Sequence, residues 1–365
     1  MLDIGMRAFK FGHDIELILV DRTDNSLQLD QTLVKYNVTK ITSRNKKNNL
    51  IRLIEFPLLA VRVIYRLFKV TNSDAVVLTS TFDMLVIARI YSLFSTVRIR
   101  HQVRDLHNLQ LGNGLASKAI KMIERWCLQR CELLIYSAPA FYKEYYVSIY
   151  KGSHALLENL PQLSTWKDFQ QDLDLKTGFK IGYIGIIRYM SPLLNLVDAT
   201  ERMISCGSSI SVLFAGGGDV SLVQARVKTP ARFEFFGSFE YTSSVAALFQ
   251  NVDLIFAVYD RYDMNCRLAM PTKFYESLIT RIPILVSSDT YVGVLVERLG
   301  IGRAVNGESA DAILEVLSSV GQPDSWYAKA KATLACQDMD DLYKLYEEAM
   351  ALTISSKSPI TNIVS

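Results

Sequence analysis

Lys273 and Glu276 stand three residues apart on one face of a predicted helix that Pro271 would start. The N–H groups of a helix's first turn attract phosphate, and Lys273 would add a full positive charge there. Glu276 could accept hydrogen bonds from ribose hydroxyls. The pair therefore suits a nucleotide diphosphate; the alternative is a solvated surface pair at a helix start.

A second phosphate signal follows the strand predicted at 179–184. Gly185 would let backbone approach a pyrophosphate, and the Arg188 guanidinium can bind phosphate oxygens with two parallel hydrogen bonds. Gly216 to Gly218 form a similar glycine-rich turn. Glycines after a strand are also common in ordinary strand-to-helix turns, so each signal is weak alone.

Strand-like apolar runs alternate with helical patterns along the chain, which is typical of βαβ units with parallel sheets and predicts an α/β fold. Each half of the chain contributes six predicted strands. They lie at 15–20, 38–41, 75–79, 97–103, 133–136 and 155–157, and at 179–184, 211–215, 232–236, 253–256, 282–287 and 303–305.

The 365 residues suit two domains. We predict an N-terminal Rossmann-like domain over 1–161, a linker over 162–178, a C-terminal Rossmann-like domain over 179–337, an amphipathic helix over 338–354 and a frayed tail over 355–365. Such doubly wound domains bind ligands beyond the carboxyl ends of their strands, here facing a cleft. The opening residues read as helix and then strand, so the first strand of the N-terminal domain is predicted to be missing.

Composition narrows the class of protein. Hydrophobic residues make up 50% of the chain and charged residues 21%, which is typical of globular proteins. The five cysteines are odd in number and scattered, which indicates a reducing compartment. Cys127 and Cys131 lie one helical turn apart, and a buried helix face explains them better than zinc. No apolar run is long enough to span a bilayer, so we expect a cytoplasmic protein.

Positive charge is concentrated in the first half of the chain. Residues 1–160 hold 22 Lys and Arg against 14 Asp and Glu, and residues 35–104 hold thirteen cations against three acids. A helix predicted there is amphipathic, and its polar side carries Arg52, Glu55, Arg62, Arg66 and Lys69. It would rest on an anionic membrane surface or pack as a core helix, and the two uses can coexist. Nucleic acid is disfavoured because stacking aromatics are not interleaved with the cations.

The order of the motifs is more informative than any one of them. The second half reads "GYIGIIRY", "LFAGGGD", "FEFFGSFEY", "VDLIFAVYD", "NCRLAMPTKFYESLITRIPILVSS" and "LGIGRAV". This order resembles the donor-binding half of retaining GT-B glycosyltransferases of family four. "RHQVRDLHNL" and "LIYSAPAFYKEYY" in the first half resemble the acceptor half. The resemblance implies a GT-B fold.

The resemblance also implies residue roles. Arg188 and Lys273 would bind the diphosphate of a nucleotide sugar, Glu276 its ribose, and the segment from Gly237 to Tyr241 would lie near the base. Asp105 and His107 would face the transferred sugar. Neither a metal ion nor any cofactor besides the nucleotide sugar donor is expected, because cations and helix N-termini can stabilise the leaving diphosphate.

The sequence departs from the family pattern at two positions. Leu268 stands eight residues before Glu276, where many members carry a second glutamate, and Asn265 would supply a polar contact instead. Leu193 stands where a lysine is frequent. His107 also has a structural alternative, in which Asp105 fixes its tautomer.

These features predict a retaining, metal-independent transferase that moves a sugar to a glycan or lipid-linked acceptor in bacterial-type surface polysaccharide synthesis, at the inner face of the cell membrane. A nucleotide-sugar epimerase and a catalytically silent homologue that binds nucleotide or scaffolds assembly are the alternatives.

Overall fold

The computed structural model describes residues 16–21, 37–42, 49–72, 75–167, 169–170, 178–338 and 340–354. The chain divides into two compact units, Met1–Leu157 with Glu347–Ser365, and Glu158–Tyr346. The expectations for the opening helix, the missing first strand and the tail over 355–365 fall on residues outside the described ranges.

The first unit contains six described strands, all paired in parallel. β1 and β2 form a two-stranded ribbon, and β3 to β6 form a four-stranded sheet in chain order. The six strands are Glu16–Asp21, Asn37–Thr42, Val76–Thr79, Arg98–Val103, Cys131–Tyr136 and His154–Leu156. A strand lies within two residues of every predicted position in this half.

Five described helices accompany these strands. Helices α1 to α5 are Asn49–Val70, Phe82–Tyr91, Asn108–Leu111, Leu115–Leu128 and Pro139–Glu144. The long helix α1 buries Leu59, Val63 and Leu67 against Ile87 and Tyr91, which come from α2. These apolar positions recur every three or four residues, so they share one face of the helix.

The second unit contains a six-stranded parallel sheet with the strand order β12-β11-β10-β7-β8-β9. The chain therefore starts in the middle of the sheet, builds one side with β8 and β9, then returns to build the other side. Strands β7 to β12 are Phe179–Ile184, Ile210–Ala215, Phe233–Gly237, Leu254–Ala257, Ile284–Ser287 and Gly302–Val305. This is the Rossmann order, and all six predicted strands are present.

Helices connect the strands of the second unit. Helices α6 to α13 are Met190–Ser205, Ser221–Arg226, Tyr241–Gln250, Met264–Leu268, Thr272–Thr280, Tyr291–Leu299, Ala310–Ser318 and Trp326–Ala335. Several begin at side chains that accept a backbone N–H of the first turn, as sequence preferences predict. These caps are Asp263, Thr290, Ser309 and Ser325. Helix α14, Asp340–Ile354, occupies the region predicted as an amphipathic helix.

Part of the predicted linker belongs to the second unit. Residues Leu163–Trp166 form a 3-10 turn, and Trp166 is buried with its ring edge-on to Phe249, 5.4 Å between ring centroids. The division into compact units falls after Leu157, four residues before the predicted end of the first domain.

Candidate functional site

The strand order of the second unit locates a crevice. Strands β7 and β10 are neighbours, and the chain leaves them towards opposite sides of the sheet. At such a switch point the loops after the two strands separate, which opens space at the carboxyl edge where doubly wound sheets bind ligands. Gly185 follows β7 and Tyr259 follows β10 within two residues, so both loops belong to this edge.

Glycines allow the turns at this edge to pack backbone against backbone. Gly185 N donates to Ala215 O at 2.8 Å, and Gly216 N donates to Gly237 O at 2.8 Å. Gly216 has φ +143°, and a Cβ there would lie 1.9 Å from Gly185 O. A side chain is therefore impossible at Gly216 without displacing the turn that carries Gly185.

The Lys273 side chain lies against Gly185. A Cβ at Gly185 would meet Lys273 Cε at 3.8 Å. The structure therefore brings together two residues that the sequence places 88 positions apart and that were both predicted to bind phosphate. Helix α10 starts at Thr272, so Pro271 precedes the first helical residue instead of occupying it as predicted.

Glu276 and Lys273 form a buried ion pair. Lys273 Nζ lies 2.6 Å from Glu276 Oε2, and the side chains are 11% and 0% exposed. The alternative of a solvated surface pair is therefore wrong. Apart from this ion pair, Oε2 has no hydrogen-bond partner among the described residues. A buried carboxylate oxygen in this state retains the capacity to accept a hydrogen bond from a ligand.

The other oxygen of Glu276 is occupied. Tyr241 Oη donates to Glu276 Oε1 at 2.6 Å. Burial, together with the adjacent Glu276 carboxylate, raises the pKa of Tyr241, so this hydroxyl stays protonated and remains a donor. From the sequence, Tyr241 was predicted to end a segment that lies near the base of the nucleotide. In the structure its hydroxyl instead contacts Glu276, the residue predicted to bind the ribose.

Arg188 and Asn265 lie on elements that a side-chain contact links. Arg188 is exposed, and its guanidinium carbon lies 4.7 Å from the ring centroid of Tyr189. Tyr189 Oη lies 2.9 Å from Cys266 Sγ on α9, the helix that also carries Asn265. The turn after β7 is thus tied to α9, and both predicted binding residues belong to this linked region.

Gly237 closes strand β9 at the same edge of the sheet. Its φ of +80° lies in the left-handed region, which favours glycine. Its carbonyl accepts the hydrogen bond from Gly216 already described, so its conformation is coupled to the glycine turn. Proximity to the base stays a prediction.

Asp105 and His107 lie in the first unit, in the exposed segment after strand β4. His107 caps the short helix α3: its Nδ1 accepts from Leu109 N at 3.2 Å, and its own N–H donates to Gln110 Oε1 at 2.8 Å. The first contact places the ring proton on Nε2. Backbone therefore fixes the tautomer, a role that the structural alternative assigned to Asp105.

A buried polar cluster beside this segment escaped sequence reasoning. Glu124, in α4, is buried and accepts from Gln110 Nε2 and Tyr146 Oη, both at 2.9 Å, and from Tyr145 Oη. Burial raises the pKa of Glu124. In the sequence, only the adjacent tyrosines of "EYY" hint at this cluster. Helical spacing did not indicate that Glu124 would be their partner.

The described residues hold neither a metal-ligand cluster nor a membrane-spanning helix. Over the ranges that the structure describes, His, Cys, Asp and Glu side chains form no group of three or more suited to a metal ion. Over the same ranges, no helix combines the length and apolar character needed to cross a bilayer.

Sequence comparison and structural comparison differ in outcome. No family model matches the chain, and no curated protein sequence matches it. Solved structures do match over nearly the whole length. A sucrose-phosphate synthase from Thermosynechococcus elongatus has a TM-score of 0.67 at 12% identity, covering 96% of this chain and 92% of that chain.

Two further structures show the same likeness. A glycosyltransferase from Rickettsia africae ESF-5 has a TM-score of 0.63 at 12% identity, covering 96% of this chain and 93% of that one. Anabaena Alr3699/HepE in complex with UDP-glucose has a TM-score of 0.62 at 12% identity, covering 92% and 99%. The chain has the GT-B fold. The predicted fold class is confirmed, while membership of the retaining family four stays a prediction.

Proposed function

We propose that this protein is a glycosyltransferase that moves a sugar from a nucleotide diphosphate sugar to a glycan or lipid-linked acceptor. One observation carries the proposal: a buried Lys273–Glu276 pair lies against Gly185 at the carboxyl edge of a Rossmann-ordered sheet, and among the described residues Lys273 alone contacts the second carboxylate oxygen. The GT-B fold supports it, and HepE, which shares the fold, has been crystallised with UDP-glucose.

Each residue has a chemical task in this proposal. Lys273 and Arg188 stabilise the negative charge that develops on the departing diphosphate, which lowers the barrier to transfer without requiring a metal ion. Glu276 Oε2 accepts a ribose hydroxyl. Gly237 lies near the base, and Asn265 supplies a polar contact to the donor.

On the acceptor side, Asp105 and His107 act at the transferred sugar. With the proton on Nε2, His107 presents a hydrogen-bond donor beyond its capped Nδ1. Retention of anomeric configuration and a role in bacterial-type surface polysaccharide synthesis belong to the same proposal, and both rest on the sequence resemblance.

Donor binding is tested first. Isothermal titration of the full chain with UDP-, GDP- and ADP-sugars should show one that binds, and mass spectrometry with lipid-linked acceptors should detect the product. Lys273→Ala and Arg188→Ala should each weaken donor binding at least ~10-fold, because each removes a charged phosphate contact. Lys329→Ala, at an exposed lysine of α13, is the matched control. Wild-type affinity in the first two variants would contradict the proposed site.

A second candidate is a homologue that binds nucleotide without transfer. It is favoured by the capping role of His107, which gives that histidine a structural function, and by Leu268 at the position where family members carry a glutamate. Donor binding without product on any acceptor would support it. Epimerised sugar from the donor alone would instead indicate the epimerase.

We also propose that the basic first unit rests on an anionic membrane surface. Helix α1 has two apolar faces: one packs in the core, and the other is exposed. The exposed residues are Ile54, Leu58, Val61, Tyr65 and Phe68. Their spacing of three or four residues forms a stripe, and the exposed Arg62 and Lys69 lie beside it. Apolar insertion plus about 1 kcal/mol for each nearby cation would hold the protein at anionic lipid.

Vesicle co-sedimentation tests this surface. The protein should pellet with phosphatidylglycerol-containing vesicles and less with neutral phosphatidylcholine ones. Leu58→Glu should reduce pelleting, because it places a negative charge within the stripe. Leu222→Glu, at an exposed leucine of the second unit, should have no effect. Equal pelleting of Leu58→Glu and wild type on anionic vesicles would contradict the surface.

A further inference from the structure

The hydroxyl of Tyr241 contacts the candidate donor site from a neighbouring element. Tyr241 is the first residue of α8, the helix that follows β9 at the carboxyl edge of the sheet. Its hydroxyl donates to Glu276 Oε1 at 2.6 Å, across 35 residues of sequence. None of the roles assigned above uses this hydrogen bond.

This contact leaves the two oxygens of Glu276 in different states. Oε1 accepts from a neutral donor that remains protonated, whereas Oε2 lies 2.6 Å from the Lys273 ammonium. Among the described residues, Oε2 has no other hydrogen-bond partner. The two oxygens are chemically equivalent, so these two contacts fix the plane of the buried carboxylate, and turning it out of that plane would break the bond to Tyr241. Tyr241 therefore acts with Lys273 to hold the carboxylate plane and so the direction in which Oε2 can accept a hydrogen bond.

We propose that Tyr241 is a positioning residue that makes the donor site select ribonucleotides over 2′-deoxyribonucleotides. The inference rests on the proposed function, in which Glu276 accepts from the ribose. A ribose presents two adjacent hydroxyls as donors, and a 2′-deoxyribose presents one. In this proposal the 2′-hydroxyl donates to Oε2, and a buried carboxylate whose plane is held cannot turn towards the remaining 3′-hydroxyl, so the deoxy ligand lacks this hydrogen bond.

Tyr241→Phe isolates this effect because it removes one oxygen and leaves the ring in place. In the variant only the contact with Lys273 orients the Glu276 carboxylate, so its plane is less constrained. We expect the affinity for the ribonucleotide to fall ~10-fold and the affinity for its deoxy analogue to fall much less, since a charge-assisted hydrogen bond is affected. The ratio of the two affinities should therefore approach one, which loss of folded protein would not cause.

The experiment is isothermal titration of wild type and Tyr241→Phe with the pairs UDP and 2′-deoxyUDP, and GDP and 2′-deoxyGDP. Tyr327→Phe is the matched control: Tyr327 Oη also donates within the second unit, to Asp253 O at 3.1 Å, just before β10 and thus at the amino edge of the sheet. Thermal unfolding of each variant shows whether it folds. In a Glu276→Ala background, Tyr241→Phe should cause no further change.

The outcomes separate the two proposals. A wild-type preference for the ribonucleotide that collapses in Tyr241→Phe and persists in Tyr327→Phe supports the inference. An unchanged preference in Tyr241→Phe, or an equal loss in both variants, overturns it while leaving nucleotide binding intact. If wild type binds no nucleotide in either pair, the proposed function fails, and the inference fails with it.

Discussion

Replacing Lys273 with methionine should destabilise the second unit by about 3 kcal/mol, the lower end of the range for breaking a buried ion pair. Glu276 is fully buried, and without Lys273 its carboxylate would have only Tyr241 as a hydrogen-bond donor among the described residues. We take the lower end because Lys273 is 11% exposed, so some water can reach the vacated position.

Replacing Glu276 instead of Lys273 should lower the free energy of unfolding less. Glu276→Gln keeps an oxygen that can accept from Tyr241, and the Lys273 ammonium can turn towards water, so we expect a loss of about 1 kcal/mol. The double variant has neither an unpaired ammonium nor an unpaired carboxylate and should also lose about 1 kcal/mol. It should therefore be more stable than Lys273→Met alone by about 2 kcal/mol.

Urea unfolding followed by circular dichroism measures these differences. A loss of 3 kcal/mol also corresponds to a melting temperature lower by about 6–12 °C for a unit of this size. Lys180→Met is the control, because Lys180 and Glu234 form a partly exposed pair at 3.2 Å whose loss should cost under about 1 kcal/mol. The reasoning is refuted if Lys273→Met costs no more than Lys180→Met, or if the double variant loses the sum of the single losses.

Two further outcomes follow from burial and from glycine packing. Burial lowers the pKa of His101 from 6.5 to about 4, so the folded state binds fewer protons than the unfolded state. The free energy of unfolding of the first unit should be highest above pH 6.5 and fall by ~2 kcal/mol at pH 5. Denaturant midpoints, compared with those of a non-titrating His101→Gln variant, measure this loss. Gly216→Ala should displace Gly185, because the added Cβ would lie 1.9 Å from the Gly185 carbonyl oxygen. It should lower the melting temperature by several degrees and abolish nucleotide binding in titration. Gly321→Ala is the control: a Cβ there meets no heavy atom within 4 Å, so both measurements should match wild type.

The local pattern of apolar residues was sufficient to predict where the strands lie. Alternating apolar runs predicted the twelve strands of the described ranges within two residues, because strand and helix periodicity depend on residues close in sequence. The same patterns assigned Lys273, Glu276, Gly185 and Arg188 to turns and helix starts, where residue type alone indicates phosphate chemistry.

Side-chain contacts between residues far apart in the sequence could not be predicted from such local patterns. Spacing gave Tyr241 no reason to meet Glu276, and helical spacing did not bring Tyr145 and Tyr146 to Glu124. These contacts depend on which helices pack side by side, and the hydrogen bonds form only after that packing removes water from the carboxylates. The exposed stripe of α1 was hidden similarly, since an apolar helix does not reveal which of its faces is covered.

The sequence by itself determined the α/β class, the positions of the described strands and the residue types available for phosphate and ribose. Tertiary structure alone decided the strand order that opens the crevice between β7 and β10, and the complete burial of Glu276. The physical reason is that burial and strand order are properties of the whole packed sheet, whereas periodicity is a property of a few neighbouring residues.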